Sequence, residues 1–134
     1  MLPIEFTFEG PPLSFQSKNK TRKRAYKTRV ATEAQAVLDA GFTLITDELE
    51  IVITYYYEGQ TPDIDNIIKP IQDALIGIVY VDDNQIADTR SRKKLINGSY
   101  VVRNVSLVIA QAFSKGSEFI HVKIDSHIIT QELD

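Results

Sequence analysis

The chain has 134 residues, no cysteine, and 43% apolar residues, which is sufficient for one soluble domain with its own hydrophobic core. The lack of cysteine excludes disulfides and thiolate metal sites, and it favours a reducing compartment. No apolar stretch is long enough to cross a membrane, and the N-terminus lacks the pattern of a signal peptide. We therefore predict a single cytoplasmic domain over residues 1–134, without a membrane partner.

The charge is distributed unevenly along the chain. Residues 18–29 hold seven cations and no acid, whereas the remaining residues hold eight cations and eighteen acids. A second basic run lies in residues 90–94. Although a net charge of −3 argues against a nucleic-acid partner on average, two basic tracts on an acidic body predict a localised site for an anionic ligand. The predicted DNA-binding residues are Lys18, Lys20, Arg22, Lys23, Arg24, Lys27, Arg29, Arg90, Arg92 and Lys94.

The N-terminal half predicts two strands and one helix. Residues 4–9 alternate between apolar and polar side chains, as in a strand with one buried face. Residues 17–40 contain no proline or glycine and show a partial helical repeat, which predicts a helix ending near Gly41. Its apolar stripe is thin at first, so this end is expected to project from the core. Residues 48–57 predict a strong strand, with the odd-numbered side chains on one face.

The C-terminal half predicts two helices and two further strands. Residues 66–76 have a helical pattern, in which Pro70 is tolerated in the first turn and otherwise kinks the helix. The further predicted elements are a polar strand over residues 86–95 that residues 100–102 extend or pair with, a short helix over 105–113, and a last strand over 118–124. This order predicts an α/β fold, with a mixed β-sheet and helices packed against it.

Four aspartates are placed where they can converge. Asp63 and Asp65 are two residues apart before a predicted helix, so both can reach one cation if the backbone is extended. Asp82 and Asp83 follow that helix by a length that can return the chain to the same edge. Clustered carboxylates repel one another unless a cation compensates them, and oxygen ligands suit magnesium or manganese. Such ions support cleavage of phosphodiesters.

A lysine lies on the same helix as these acids. Lys69 is four residues after Asp65 and four before Asp73, so the three share a helix face. Lys69 can contact a phosphate or stabilise charge on a leaving oxygen, with Asp73 holding it in position. The alternative is structural: Asp65 or Asn66 caps the helix, residues 82–84 form a surface turn, and Lys69 makes an ordinary ion pair.

These residues also carry a family resemblance. The segment from Asp63 to Leu75 reads DIDNIIKPIQDAL, and the segment from Val79 to Ile86 reads VYVDDNQI. Both resemble the RusA family of Holliday junction resolvases, in which a DxDNxxK helix is followed by a short arm and DDxQ. Residues 11–19 resemble that family's N-terminal loop and the start of its basic helix.

The resemblance implies an α/β homodimer that nicks four-way DNA junctions with magnesium. It places the metal ligands on Asp63, Asp65 and Asp83, with Asp82 adjacent, and the catalytic lysine on Lys69. The nicks of such a resolvase are paired, and its role is in DNA recombination and repair. Two alternatives stay open: a nuclease for flaps or other branched DNA from a phage or mobile element, and a non-catalytic protein that binds branched DNA.

The remaining candidate residues have structural alternatives. Arg90, Arg92 and Lys94 are predicted to share a strand face with Ile86 and Asp88 and to guide the DNA backbone past the metals, or else to protect a sheet edge by charge. The aromatic run at residues 55–57 and the two histidines predict packing rather than base stacking or metal binding. The sequence contains no glycine-rich loop of the kind that binds the phosphates of a nucleotide, so we expect no nucleotide cofactor.

Overall fold

A computed structural model describes the protein over residues 2–13, 18–59, 64–97 and 105–127. Four strands and three α-helices lie in these ranges. In chain order they are β1 (Ile4–Glu9), α1 (Lys20–Gln35), β2 (Leu49–Tyr57), α2 (Ile68–Leu75), β3 (Ile86–Leu95), α3 (Leu107–Ser114) and β4 (Phe119–Ser126). Two short 3-10 turns, Ile64–Ile67 and Asp83–Gln85, precede α2 and β3.

The strands form one mixed sheet in the order β1-β4-β2-β3. Strand β4 pairs antiparallel with both β1 and β2, whereas β2 and β3 are parallel. A parallel pair needs a crossover connection, and α2 lies in the segment that joins these two strands. The predicted α/β fold with a mixed sheet and packed helices is therefore confirmed.

The larger core lies on one side of the sheet, which we call the α1–α2 face. Strand β2 contributes Ile51, Ile53 and Tyr55 to this face, all nearly inaccessible to solvent. Helix α1 covers it with a stripe four residues apart: Tyr26, Val30 and Ala34. Helix α2 adds Ile67, Ile71, Ala74 and Leu75 from its apolar side and the preceding turn. Each fully buried aliphatic side chain contributes about 1.5–3 kcal/mol to folding.

A smaller cluster lies on the opposite side of the sheet, which we call the α3 face. Tyr56 stacks on Phe119 with 4.5 Å between ring centroids, and Ala112 of α3 is buried beside them. Tyr55 is buried in the larger core and Tyr56 in this one. The prediction that the aromatic run packs inside the protein is confirmed for these two tyrosines.

The helix boundaries differ from those predicted. Helix α1 ends at Gln35, before the predicted end near Gly41. The next apolar residue of its repeat, Val37, is 39% exposed and does not join the core, so core packing does not support a further helical turn. Gly41 has a φ of +83°, but it lies beyond the helix in a separate turn. The second predicted helix begins as a 3-10 turn and becomes α-helical at Ile68. Pro70 then falls in the first turn, where its missing N–H has no helical acceptor.

The prediction for the side chains of β3 is wrong at one position. A register shift lies between Leu49 and Glu50, so Ile86 pairs with the former and Asp88 with the latter. Ile86 therefore packs against the larger core, while Asp88 lies on the α3 face. Residues 100–102, predicted to extend or pair with this strand, lie outside the described ranges. In the described part of the chain, no helix has the length and apolar character needed to span a membrane.

Candidate active site

The segment that crosses from β2 to β3 brings Lys69 to two aspartates. Its Nζ lies 2.9 Å from Asp73 Oδ1 and 3.0 Å from Asp83 Oδ2. The first contact joins residues one turn apart on α2, as predicted from their spacing. The second joins the helix to the turn before β3, fourteen residues later in the chain. Lys69 thus links the two segments that carry the predicted catalytic acids.

These contacts stabilise the charged forms of Lys69 and Asp83. Hydrogen bonds to Asp73 and Asp83 raise the pKa of Lys69 to about 12. The hydrogen bond from Lys69 in turn lowers the pKa of the Asp83 carboxyl below its ordinary value. At neutral pH the lysine is therefore protonated and Asp83 is ionised. Lys69 can donate hydrogen bonds and supply positive charge, but it has no free lone pair with which to accept a proton.

The turn that carries Asp83 is held by its neighbours. Asp82 Oδ1 accepts a hydrogen bond from the Asp83 N–H at 2.9 Å, and Gln85 Oε1 accepts from the Asp82 N–H at 2.9 Å. The Asp82 side chain also accepts from the Gln85 N–H, and this bond together with the bond from the Asp82 N–H to Gln85 forms a capping box around the 3-10 turn. The structural alternative is confirmed in so far as this segment is a capped surface turn. A metal-binding role of its carboxylates stays a prediction.

The turn before α2 is anchored to the edge strand of the sheet. Ser91 Oγ on β3 donates to the Ile64 carbonyl at 2.6 Å, and Gln72 Nε2 on α2 donates to Thr89 Oγ1 at 3.0 Å. The N-cap position of α2 is Ile67, which makes no side-chain capping bond, rather than Asp65 or Asn66 as the structural alternative had it. The backbone of Asp65 lies in the anchored 3-10 turn.

The predicted metal site extends beyond what the structure describes. Asp63 lies outside the described residues, as does the side chain of Asp65. Among the side chains within the described ranges, no group of three or more His, Cys, Asp or Glu is arranged to hold a metal ion. The structure thus brings together Lys69, Asp73 and Asp83, with Asp82 beside them. Asp63, Asp65, Asp82 and Asp83 as metal ligands stay a prediction.

The basic helix presents most of its cations to solvent. Its apolar stripe is turned to the core, and Asn19 caps it by accepting from the Arg22 N–H at 3.0 Å. Arg29 differs from the other cations of α1. Its guanidinium donates to the Glu9 carbonyl at 2.9 Å and lies 5.8 Å from the centre of the Phe8 ring. Arg29 therefore helps to attach α1 to β1, although it is exposed. The other exposed cations are Lys18, just before the helix, and Lys20, Arg22, Arg24 and Lys27 within it.

Three cations of β3, Arg90, Arg92 and Lys94, lie away from Lys69. Arg92 pairs with Thr54 and Lys94 with Tyr56, so both project from the α3 face, and alternation places Arg90 there too. Helix α2, which carries Lys69, packs on the opposite face of the sheet. Their predicted contact with DNA is untested. These cations are not on the sheet face of Lys69.

The histidines have structural surroundings. His121 is buried on the α3 face, with Nε2 2.6 Å from Glu5 Oε2. The same carboxylate oxygen accepts from Ser106 Oγ at 3.0 Å, and Ser106 caps α3. Burial lowers the pKa of His121, and this effect exceeds the opposing influence of Glu5. The prediction that His121 is structural agrees with these contacts.

Sequence reasoning missed two features that hold the site together. In the sequence, Gln85 stands out only as the last letter of the DDxQ motif, and no motif includes Ser91. The polar alternation of β3 could have indicated that Ser91 faces a partner, since its side chain lies among charged residues on a strand. No local pattern indicates that Gln85 bridges to a segment forty residues earlier.

The chain was compared with protein families and with curated proteins. The family model described as Endodeoxyribonuclease RusA matches residues 15–103, about two thirds of the chain. The chain belongs to the RusA endodeoxyribonuclease family. The match includes α1, α2, β3 and the turns that carry Asp65 and Asp83. The comparison with curated proteins found no match.

Proposed function

We propose that this RusA-family protein is a magnesium-dependent endodeoxyribonuclease that resolves four-way (Holliday) DNA junctions by paired cleavage, in DNA recombination and repair. The observation that carries the proposal is the contact of Lys69 with Asp83 inside the family-matched segment. It brings a protonated lysine and an ionised carboxylate together at the protein surface. Such a pair can act on a phosphodiester together with a cation.

The chemistry of the candidate ligands fits a hard divalent cation. Asp83 is ionised and partly exposed, and its carboxylate uses one oxygen for Lys69. Asp82 is exposed beside it. Oxygen ligands of this type suit magnesium, with manganese as an alternative. We propose Asp63, Asp65 and Asp83 as the metal ligands, with Asp82 as a further candidate, and the bound ion would supply an activated water and stabilise the leaving oxygen.

The chain's own residues provide positioning and charge. We propose that Lys69 donates a hydrogen bond to the scissile phosphate, since its raised pKa keeps it cationic throughout the neutral range. Asp73 keeps the lysine oriented from the same helix. The exposed cations of α1 would bind backbone phosphates, which positions the DNA without reading its sequence. We assign Arg90, Arg92 and Lys94 a supporting role with a second segment of the DNA.

The symmetry of the proposed substrate calls for a symmetric enzyme. Two strands of a four-way junction are cut at equivalent positions, so each strand needs an equivalent active site. A homodimer with two-fold symmetry meets this requirement. This part of the proposal derives from the reaction, and size measurement in solution by light scattering would test it.

The deciding experiment is cleavage of an immobile four-way junction with magnesium by the wild type and by Asp65→Asn. The proposal predicts paired, symmetric nicks from the wild type and none from the variant, although the variant should still bind the junction. Matched flap and fork substrates distinguish junction resolution from a wider activity on branched DNA. Binding of the junction by the wild type without cleavage in magnesium or manganese would replace the proposal with a binding role.

A further inference from the structure

The side chain of Gln85 uses both ends of its amide to fasten the turn that carries Asp83. Its Oε1 accepts hydrogen bonds from the N–H groups of Val81 and Asp82, each at 2.9 Å. Its Nε2 donates to the carbonyls of Ile45 at 2.8 Å and Asp47 at 3.0 Å. Four hydrogen bonds satisfy the full donor capacity and the full acceptor capacity of this amide.

The segment around Ile45, to which Gln85 is bound, also contacts the chain just before the turn that carries Asp83. The N–H of Ile45 donates to the carbonyl of Val79 at 3.0 Å, and Ile45 forms an isolated bridge with Tyr80. Val79 and Tyr80 are fully buried. The chain from Val79 to Gln85 is therefore attached to Ile45 at its start and at its end. Asp83 lies between these two attachments.

The contacts of Gln85 exceed what a helix cap requires. A capping box needs only the side-chain oxygen, which accepts from the N-cap N–H. The two bonds from Nε2 add nothing to the cap, and they reach a segment about forty residues earlier. Their effect is to fix the turn relative to the body of the protein. The position of Asp83 relative to Lys69 on α2 depends on that placement.

We propose that Gln85 is a positioning residue of the active site, which places the Asp83 carboxylate for binding the divalent cation. The inference rests on the proposed function, in which Asp83 is a metal ligand. Gln85 itself touches neither substrate nor metal in this role. Partners in this outer layer typically change metal affinity or activity by 10- to 100-fold when they are replaced.

Two variants separate the cap from the anchor. Gln85→Met has a similar volume and removes all four hydrogen bonds. Gln85→Glu keeps an acceptor for the N–H groups of Val81 and Asp82, but it cannot donate to the Ile45 and Asp47 carbonyls. Ser106→Ala is the matched control, because it removes the cap of α3 on the opposite side of the sheet. That loss lowers the stability of the fold without altering the turn that carries Asp83.

The experiment measures Mn²⁺ affinity of the full chain without DNA, by the electron paramagnetic resonance signal of the free ion. Both Gln85 variants are expected to bind Mn²⁺ about ten-fold more weakly than the wild type. Ser106→Ala should bind Mn²⁺ as the wild type does, and melting temperatures confirm that all variants are folded. Mn²⁺ affinity of Gln85→Glu equal to that of the wild type would overturn the anchoring role. Mn²⁺ affinity of Gln85→Met equal to that of the wild type would overturn the inference as a whole.

A second readout distinguishes this inference from the proposed function. With junction DNA at saturation, the Gln85 variants should show a lower kcat and need more magnesium for half-maximal rate, while the Kd for the junction without divalent metal stays unchanged. If the wild type binds Mn²⁺ but cuts no junction, the proposed function fails, and the Mn²⁺ affinities alone decide the role of Gln85. A wild type that binds no Mn²⁺ would overturn both.

Discussion

The two faces of the sheet are built on different principles. Across β1, β4 and β2 the α1–α2 face is an apolar surface, in which Ile51, Ile53 and Tyr55 are covered by two helices. Within the described ranges, the α3 face has a smaller aromatic cluster, and its strands carry rows of charged and polar side chains. One such row crosses all four strands through Arg92, Thr54, His121 and Thr7.

The two faces therefore support their charged side chains in different ways. Lys69 belongs to a helix whose other side is packed against the larger core, so its backbone is held by apolar contacts. Three cations of the α3 face, Arg90, Arg92 and Lys94, stand on the edge strand β3 and are exposed or half-buried. A side chain that must meet a reacting group to within a fraction of an ångström needs the first kind of support. Electrostatic attraction of a polyanion such as DNA needs only exposed cations, without support from a packed helix.

The largest expected effect comes from removing the lysine above the rigid core. Lys69→Met should lower the rate of junction cleavage by about 100- to 1000-fold, because a preorganised charge at the phosphate is lost. The same substitution at Lys123, which is exposed on the α3 face, is the matched control and should leave the rate within about two-fold. Single-turnover rates measure both. Equal losses in the two variants would show that the faces do not differ in catalytic importance.

Stability should depend on the two faces unequally. Ile53→Ala, which empties a site in the larger core, should lower the free energy of unfolding by about 3 kcal/mol. Val52→Ala, one residue earlier and half-buried on the α3 face, should cost about 1 kcal/mol. Urea denaturation measures both values on the same strand. A cost of Val52→Ala as large as that of Ile53→Ala would mean that the α3 face is covered in solution.

The cations of the α3 face should affect binding rather than chemistry. Arg92→Gln is expected to reduce the salt dependence of junction binding by about one unit of slope while kcat is unchanged. Lys20→Gln on α1 should have a similar effect, since that side chain is exposed too. Titrations at several salt concentrations give the slopes. An unchanged slope for Arg92→Gln would remove this face from the DNA-binding surface.

The smallest effect concerns pH and arises from His121. Because burial lowers its pKa, the unfolded chain binds a proton at a higher pH than the folded protein does. Stability should therefore decrease as the pH falls below about 6.5, and the loss is complete below the folded pKa. His121→Leu should flatten this part of the curve. Chemical denaturation between pH 7.5 and 5 checks it, and a wild-type stability independent of pH in this range would contradict it.

Local periodicity predicted the elements well where one face is strongly apolar. Strand β2 and the polar strand β3 fall within one residue of their predicted ends, and α1 has its expected stripe from Tyr26 to Ala34. The end of α1 was misplaced because an apolar residue at the right spacing, Val37, does not reach the core. The face of Ile86 was wrong because a register shift has no local signature.

The site was predictable in part. The contact between Lys69 and Asp73 follows from helical spacing, and the return of Asp83 to the same place was anticipated from the length of the connection. The strand order was not predictable from periodicity, since β4 inserts between β1 and β2. Nor were the bonds from Gln85 to the Ile45 segment, because they depend on how distant parts of the chain pack. The strand order and the Gln85 contacts join residues that are far apart in the sequence, and local periodicity does not indicate such pairs.

The position of β4 in the sheet has a consequence for biosynthesis. This strand comes last among the described elements, yet it lies in the interior of the sheet and pairs with β1 and β2. On the ribosome, β2, α2 and β3 can associate early as a contiguous unit. Among the described strands, β1 pairs only with β4, so it has no partner there until residues 119–126 have emerged. Closing so long a loop is slow. Completion of the sheet therefore waits until residues 119–126 have left the ribosome, and the nascent chain exposes one edge of β2 until then.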